Sequence, residues 1–305
     1  MDMLKSVIDV GTNSIKFYVA RKRPDGALEA LLDKNDIARL GEGLRETGKI
    51  SPEPLERNAR SVAAFVEEAR SLGVSSPEIV GTMALRTASN ASEFVAKVKE
   101  LTGLSLRVIE GEEEARLSYL AVLSALPVGK GELVTFDTGG GSTEFVYGRE
   151  AEMLRKFSVP LGAVRITEEF FKDDPVREES VDAAFAEIRK SLKEGGAGGS
   201  PDMLVGMGGT VTSLASVKHK MEVYDPDIVQ GSVLTLDDIR GMMKMFSSMT
   251  LEERRGVVGL QPKRADVILA GTCIVNVLLE IFGASSFTVS DRGLRHGLAF
   301  ELFSR

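Results

Sequence analysis

The feature that most constrains this chain is a ten-residue stretch written twice. Near the N-terminus it reads Ile8-Asp9-Val10-Gly11-Thr12-Asn13-Ser14-Ile15-Lys16-Phe17, and more than a hundred residues later Phe136-Asp137-Thr138-Gly139-Gly140-Gly141-Ser142-Thr143-Glu144-Phe145. Aligned on Asp9 and Asp137, Gly11 coincides with Gly139, Ser14 with Ser142 and Phe17 with Phe145. Each copy passes from a β-type run through a glycine turn into a second β-type run, the pattern of a hairpin. Copies this far apart do not make a solenoid; they predict two similar domains, each with one such hairpin.

The turns hold more glycine than packing requires. Successive glycines let backbone N–H groups converge on an anion, because no Cβ blocks the approach or forbids positive φ. The phosphate-binding candidates are therefore Gly11, Thr12, Asn13 and Ser14 in the first copy and Gly139, Gly140, Gly141 and Ser142 in the second. Asp137 stands where a metal bound to that anion needs a carboxylate, with Glu144 and Asp9 as further metal candidates. Two plainer readings compete: a tight hairpin with a solvated acidic flank and, for Asp9, a carboxylate that only holds its own turn in shape.

Composition narrows the choice. A chain of 305 residues, 43% of them hydrophobic, can bury a large core and divides into two domains. One cysteine, Cys273, lies in an apolar run and excludes a disulfide framework; two histidines are too few for a histidine-built metal site. The net charge of −7 argues against nucleic-acid binding and requires any positive potential to be local. Asp9 and Lys16 come too early for a signal peptide, and no apolar run approaches a membrane span, so the expected location is the cytoplasm with no membrane association.

In chain order, three strands (Ser6 to Asp9, Ile15 to Arg21, and Leu28 to Leu40 after a turn at Pro24-Asp25-Gly26) precede a helix over Pro52 to Leu72. A strand at Glu78 to Gly81, a helix over Ala91 to Leu101, a strand at Leu106 to Ile109 and a helix from Glu112 to Leu126 complete a β-β-β-α-β-α-β-α unit. The order restarts with strands at Leu133 to Asp137, Glu144 to Gly148 and Met153 to Val159. Helices near Ala163 and over Ser180 to Lys193 follow, then a flexible linker at Gly195 to Gly199. A strand at Met203 to Gly206 leads into Gly208-Gly209-Thr210, where a helix opens and Gly208 and Gly209 are further phosphate candidates. Helices follow over Leu236 to Phe246, after a capping box at Thr250 and over Ala265 to Phe282, then a strand at Phe287 to Ser290 and a helix from Leu294. The expected domains are 1–124 and 125–305, with the helix over 294–305 packing back on the first domain or facing a second subunit.

Paired Asp-x-Gly hairpins on such units resemble the acetate kinase, sugar kinase, Hsp70 and actin superfamily. Within it the chain resembles the exopolyphosphatase/guanosine pentaphosphatase (Ppx/GppA) family over nearly its whole length. The resemblance rests on Ile8 to Ser14, Thr82-Met83-Ala84-Leu85-Arg86, Glu110-Gly111-Glu112-Glu113-Glu114-Ala115-Arg116-Leu117 and Asp137 to Glu144. It continues in Pro160 to Arg165, Arg264-Ala265-Asp266-Val267-Ile268 and Asp291-Arg292-Gly293-Leu294-Arg295. It implies an α/β protein of two ribonuclease H-like (actin-like ATPase) domains, each a mixed sheet flanked by helices, with the active site in the interdomain cleft. It also implies Mg²⁺-dependent hydrolysis of phosphoanhydrides, in inorganic polyphosphate or pppGpp, and a homodimer. The chain ends soon after Asp291-Arg292-Gly293 and so resembles the short two-domain members, without the helical region that extends the polyphosphate surface in longer ones.

On this resemblance Glu114 is the general base, and Arg86 binds a phosphate oxygen through its planar fork. From residues alone, Glu112, Glu113 and Glu114 are equally favourable charges in a helix's first turn, and Arg86 a surface arginine. The leading expectation is an exopolyphosphatase. The alternatives are a pppGpp phosphohydrolase, an ATP-dependent small-molecule kinase of the same superfamily and a non-catalytic sensor.

Overall fold

A computed structural model of the chain describes residues 4–23, 28–150 and 152–304. The turn expected at Pro24-Asp25-Gly26 lies outside them. The fold divides into two compact units, one made of Met1–Ala121 and Leu294–Arg305, the other of Val122–Gly293.

The first unit is built on a five-stranded sheet of β1 (Leu4–Val10), β2 (Ile15–Lys22), β3 (Leu28–Asp36), β4 (Glu78–Gly81) and β5 (Leu106–Val108), in the order β3-β2-β1-β4-β5. β1, β2 and β3 pair antiparallel, while β1, β4 and β5 run parallel. Burial follows position: the central strand β1 is buried from Ser6 to Val10, whereas the edge strand β3 is largely exposed. The helix Pro52–Ser71 starts on a proline in its first turn and buries Ala59, Val62, Val66 and Ala69 on the stripe set by their three- and four-residue spacing.

β3 ends at Asp36, short of the expected Leu40. The chain leaves the sheet there because Arg39 N–H and Gly41 N–H are drawn to the carbonyls of Asn13 and Thr12 in the glycine turn, at 3.0 and 2.9 Å.

The second unit repeats the plan. β6 (Glu132–Thr138), β7 (Thr143–Arg149) and β8 (Glu152–Val159) pair antiparallel, and β9 (Met203–Met207) and β11 (Ser286–Val289) extend the sheet parallel to β6. The order is β10-β11-β9-β6-β7-β8, where β10 (Val233–Thr235) is an added edge strand too short to show a period in the sequence. The repeat reaches beyond the motif. The pairing of β2 with β3 shifts register between Val19 and Ala20, and that of β7 with β8 between Tyr147 and Gly148, the same place in each copy.

The core of this unit is the helix Ile268–Phe282, buried along nearly its whole length. Both helices Leu236–Ser248 and Leu251–Arg255 start on capping boxes, Thr235 with Asp238 and Thr250 with Glu253. The glycine run at Gly195 to Gly199 is not a free linker: the Tyr147 hydroxyl donates to Gly198 O at 2.9 Å and accepts from Gly198 N–H at 3.0 Å, which fastens the run to β7.

Candidate active site

In both units the predicted site residues collect at the carboxyl ends of the parallel strands, where α/β sheets place ligands. In the first unit β1 delivers the turn Gly11 to Ser14. Its Gly11 N–H donates to Ser14 O at 3.0 Å. In the second, Gly139 N–H donates to Ser142 O at 2.9 Å, the same closure. The outer carbonyls are turned away and held: Thr12 and Asn13 by Gly41 and Arg39, Gly139 and Gly140 by Ala163 and Val164 at 3.0 and 2.9 Å. A second glycine seals each turn, Gly41 against Thr12 and Gly162 against Gly140 and Gly141.

With the carbonyls held outward, the opposite dipoles point into the turn. Among the described residues the backbone N–H groups of Thr12, Asn13 and Ser14, and of Gly140, Gly141 and Ser142, meet no protein acceptor. Backbone donors without protein acceptors are suited to an anion's oxygens.

The acids differ between the copies. Asp9 is buried and faces Lys16 across the hairpin, with the ammonium 3.4 Å from its carboxylate. Asp137 faces Glu144 at the corresponding register position. Directly opposed side chains share one face with Cβ atoms about 5 Å apart, so the two carboxylates lie on the same face of the sheet. Glu144 is buried and accepts a hydrogen bond from the Ser158 hydroxyl at 2.7 Å.

Around the Asp137 carboxylate the chain has cleared space. A Cβ on Gly208 would overlap Asp137 Oδ1, whereas one on Gly293, 3.7 Å from Oδ2, would make ordinary contact. Gly208 also has φ +87°, a conformation that side chains other than glycine's rarely adopt. The donor set is hard oxygen, the kind that Mg²⁺ takes through one or two carboxylates.

Glu114 lies in the first turn of the helix Gly111–Leu123, beyond the end of β5. It is the inward member of the acidic run. Glu113 pairs with Arg107 at the surface at 2.8 Å, whereas Glu114 Oε2 accepts from Arg86 Nη1 at 2.8 Å with both side chains largely buried. The same Arg86 nitrogen donates to Ile109 O at 2.8 Å, so the guanidinium ties the glutamate to the end of β5. Arg86, expected on phosphate, is thus engaged at least in part in orienting Glu114.

Arg264 is a residue that the sequence reading did not single out for a role. Its guanidinium packs on the backbone of Gly209, where a Cβ would stand 2.5 Å from Cζ. It is 8% exposed, and burial pushes it down to about 10 despite the opposing influence of Tyr224 and Asp266. Among the described residues this guanidinium has no hydrogen-bond partner and no carboxylate in ion-pair range. A largely buried cation beside a glycine turn is suited to an anionic ligand. The signal in the sequence was faint: one arginine after a proline turn, with its partner glycines more than fifty residues away.

Other residues fall out of the site. The cations of two short basic runs are engaged elsewhere, Arg21 with Glu29 at 2.8 Å and Lys218 with Asp238 at 2.7 Å. Cys273 is buried and its thiol is pushed up to about 12 by burial, which makes it inert at neutral pH. Among the described residues no helix is long and apolar enough to cross a membrane, and no group of three or more metal-type side chains clusters.

A model of the Ppx/GppA phosphatase family matches residues 18–305. The chain belongs to this family. It is 30% identical to exopolyphosphatase 2 of Mycobacterium tuberculosis, over 97% of this chain and 98% of that protein. It is also 30% identical to the guanosine-5'-triphosphate,3'-diphosphate pyrophosphatase of Aliivibrio fischeri, of which it spans 60%, and to a bifunctional 3-dehydroquinate synthase/phosphatase of Fusobacterium nucleatum, of which it spans 46%. A crystal structure of the Aquifex aeolicus family member superposes over 100% of this chain and 99% of its own with a TM-score of 0.84 at 37% identity. The two mixed sheets flanked by helices are those of the actin-like ATPase fold.

Proposed function

We propose that this protein is a Mg²⁺-dependent exopolyphosphatase that hydrolyses the terminal phosphoanhydride of inorganic polyphosphate and releases orthophosphate. The observation that carries the reading is the pair of glycine turns with inward N–H triplets and no protein acceptor, accompanied by an inward carboxylate, Glu114, held by Arg86. Phosphoryl transfer is mostly positioning and neutralisation of charge, and these parts suit that task.

The geometry of each group supports the following roles. The turns at Gly11 to Ser14 and Gly139 to Ser142 donate to phosphate oxygens, with Arg264 and the backbone at Gly208 and Gly209 as further anion contacts. Glu114 accepts the proton of the attacking water, while Arg86 holds its carboxylate in one orientation. Asp137 and Glu144 hold the cation; Asp9, paired with Lys16, shapes its hairpin. Bound there, Mg²⁺ supplies charge neutralisation on the phosphoryl oxygens.

The second reading is the same chemistry on pppGpp, favoured by the match to the Aliivibrio fischeri enzyme. Phosphate release from polyphosphates of graded length, with pppGpp and ATP in parallel and with and without Mg²⁺, separates these. We expect Mg²⁺-dependent release from polyphosphate and a fall of roughly 10³-fold in Glu114→Gln, within the range for removal of a general base. Near wild-type turnover by a folded Glu114→Gln enzyme would sink the assignment of the base. Transfer of phosphate from ATP to an acceptor, without polyphosphate hydrolysis, would replace the hydrolase reading with a kinase.

A further inference from the structure

The helix that carries Glu114 is crossed at close range by the last helix, Leu294–Ser304. The crossing point is Gly297, against the main chain of Leu117, one turn beyond Glu114. A Cβ on Gly297 would overlap the Leu117 carbonyl oxygen and stand 2.7 Å from its carbon and 3.2 Å from its Cα. These are backbone atoms, so a side chain could be accommodated only if one helix moved.

The last helix is itself held firmly on the first unit's sheet. Arg295 grips Asp33 of β3 through two nitrogens, at 2.7 and 3.0 Å, and His296 Nε2 lies 3.0 Å from the same carboxylate. The His296 ring meets Tyr18 of β2 edge to face at 4.6 Å. Leu294, Leu298, Ala299 and Phe303 are buried with Val7, Val80, Ile109 and Leu117. Beside the crossing, Arg116 pairs with Glu301 at 2.5 Å and locks the two helices in register. With the last helix fixed on one side and Arg86 on the other, any thickening at Gly297 must push the Glu114 helix.

We propose that Gly297 is a positioning residue for Glu114: its missing side chain sets the spacing of the two helices, and so the place of the carboxylate relative to Arg86 and the reacting water. The proposal rests on the reading of Glu114 as general base. A displacement of about 1 Å in a catalytic group lowers a rate by up to ~10²-fold, because reactions are steep in the geometry of approach.

The test is a double-mutant cycle on phosphate release, with kcat and KM measured separately for Gly297→Ala, Glu114→Gln and the double variant. Gly297→Ala is expected to lower kcat by about 10- to 100-fold with KM within about threefold of wild type. If Gly297 acts through Glu114, the double variant is no slower than Glu114→Gln alone, since groups acting as one unit are not additive. Full additivity, or a wild-type kcat in Gly297→Ala, would overturn the proposal while leaving the base in place. Should Gly297→Ala melt below the assay temperature, Glu301→Gln takes its place in the cycle: a several-fold loss of kcat that vanishes in the Glu114→Gln background supports the proposal, and an additive loss overturns it. A fully active Glu114→Gln enzyme would remove the base assignment, and this proposal with it.

Discussion

The two glycine hairpins have the same backbone and opposite electrostatics. Both close with a glycine N–H on a serine carbonyl, both are sealed by a later glycine, and both lead into strands that slip register at the same place. Yet Asp9 faces Lys16, whereas Asp137 faces Glu144. One change at one cross-strand position separates a carboxylate paired with a lysine in its own hairpin from two carboxylates on one face of the sheet. On the function proposed here, a repeated fold keeps the glycine turn twice and gives the cation to one copy.

The sharpest way to break this comparison is to neutralise each aspartate. Asp137→Asn should lower turnover by roughly 10³-fold, on the scale of losing one electrostatic stabiliser, and Asp9→Asn at least tenfold less. Steady-state phosphate release checks both, and equal losses would mean that the hairpins share the metal chemistry. Next in size, Glu144→Gln should raise the Mg²⁺ concentration for half-maximal rate by about tenfold, as expected when a carboxylate ligand is lost. An unchanged Mg²⁺ titration would remove Glu144 from the site.

Lys16→Met probes the other copy. It leaves the buried Asp9 carboxylate without its ammonium and should lower stability by about 1–2 kcal/mol, read as a fall of a few degrees in melting temperature. The Mg²⁺ requirement should not move; if it does, the two acids are not functionally distinct.

The smallest expected effect concerns acid stability. Burial alone would raise Asp33, but the Arg295 guanidinium and then His296 overcome it and hold the carboxyl well below its usual range. Because the folded-state value is lowered, the stabilisation is fully present above the unfolded carboxyl's pKa near 4 and is lost as pH falls towards the folded value. Wild type should therefore lose its advantage over Asp33→Asn between about pH 5 and pH 2, by on the order of 1 kcal/mol, in denaturant titrations across that window. A pH-independent difference would show that the first unit's stability does not depend on Asp33's ionisation.

Much of this was legible in the residue order. The duplicated Asp-x-Gly turn announced the repeat, the alternation of strand and helix patterns located all but the shortest elements, and the capping box at Thr250 marked its helix start. Glu114 was named through the family resemblance of its run, and nothing local distinguished it from Glu113. That distinction comes from burial and from Arg86, far away in the chain. β10 escaped notice because three residues carry no period, and the glycine run at Gly195 to Gly199 looked free because its partner, Tyr147, is some fifty residues away.

Local information, in which each residue is read with its near neighbours, was enough to settle the hairpins, their glycines and the doubled architecture, because turn chemistry and strand periodicity act over a few positions. Whatever depends on partners distant in the chain was decided by tertiary structure alone. The place of Arg264 on Gly209 follows from the packing of a 3₁₀ turn on a helix start. That Gly297 lies against Leu117 follows from the return of the last helix to the first sheet. Such contacts join residues up to nearly two hundred positions apart, and no local pattern in a single sequence encodes them.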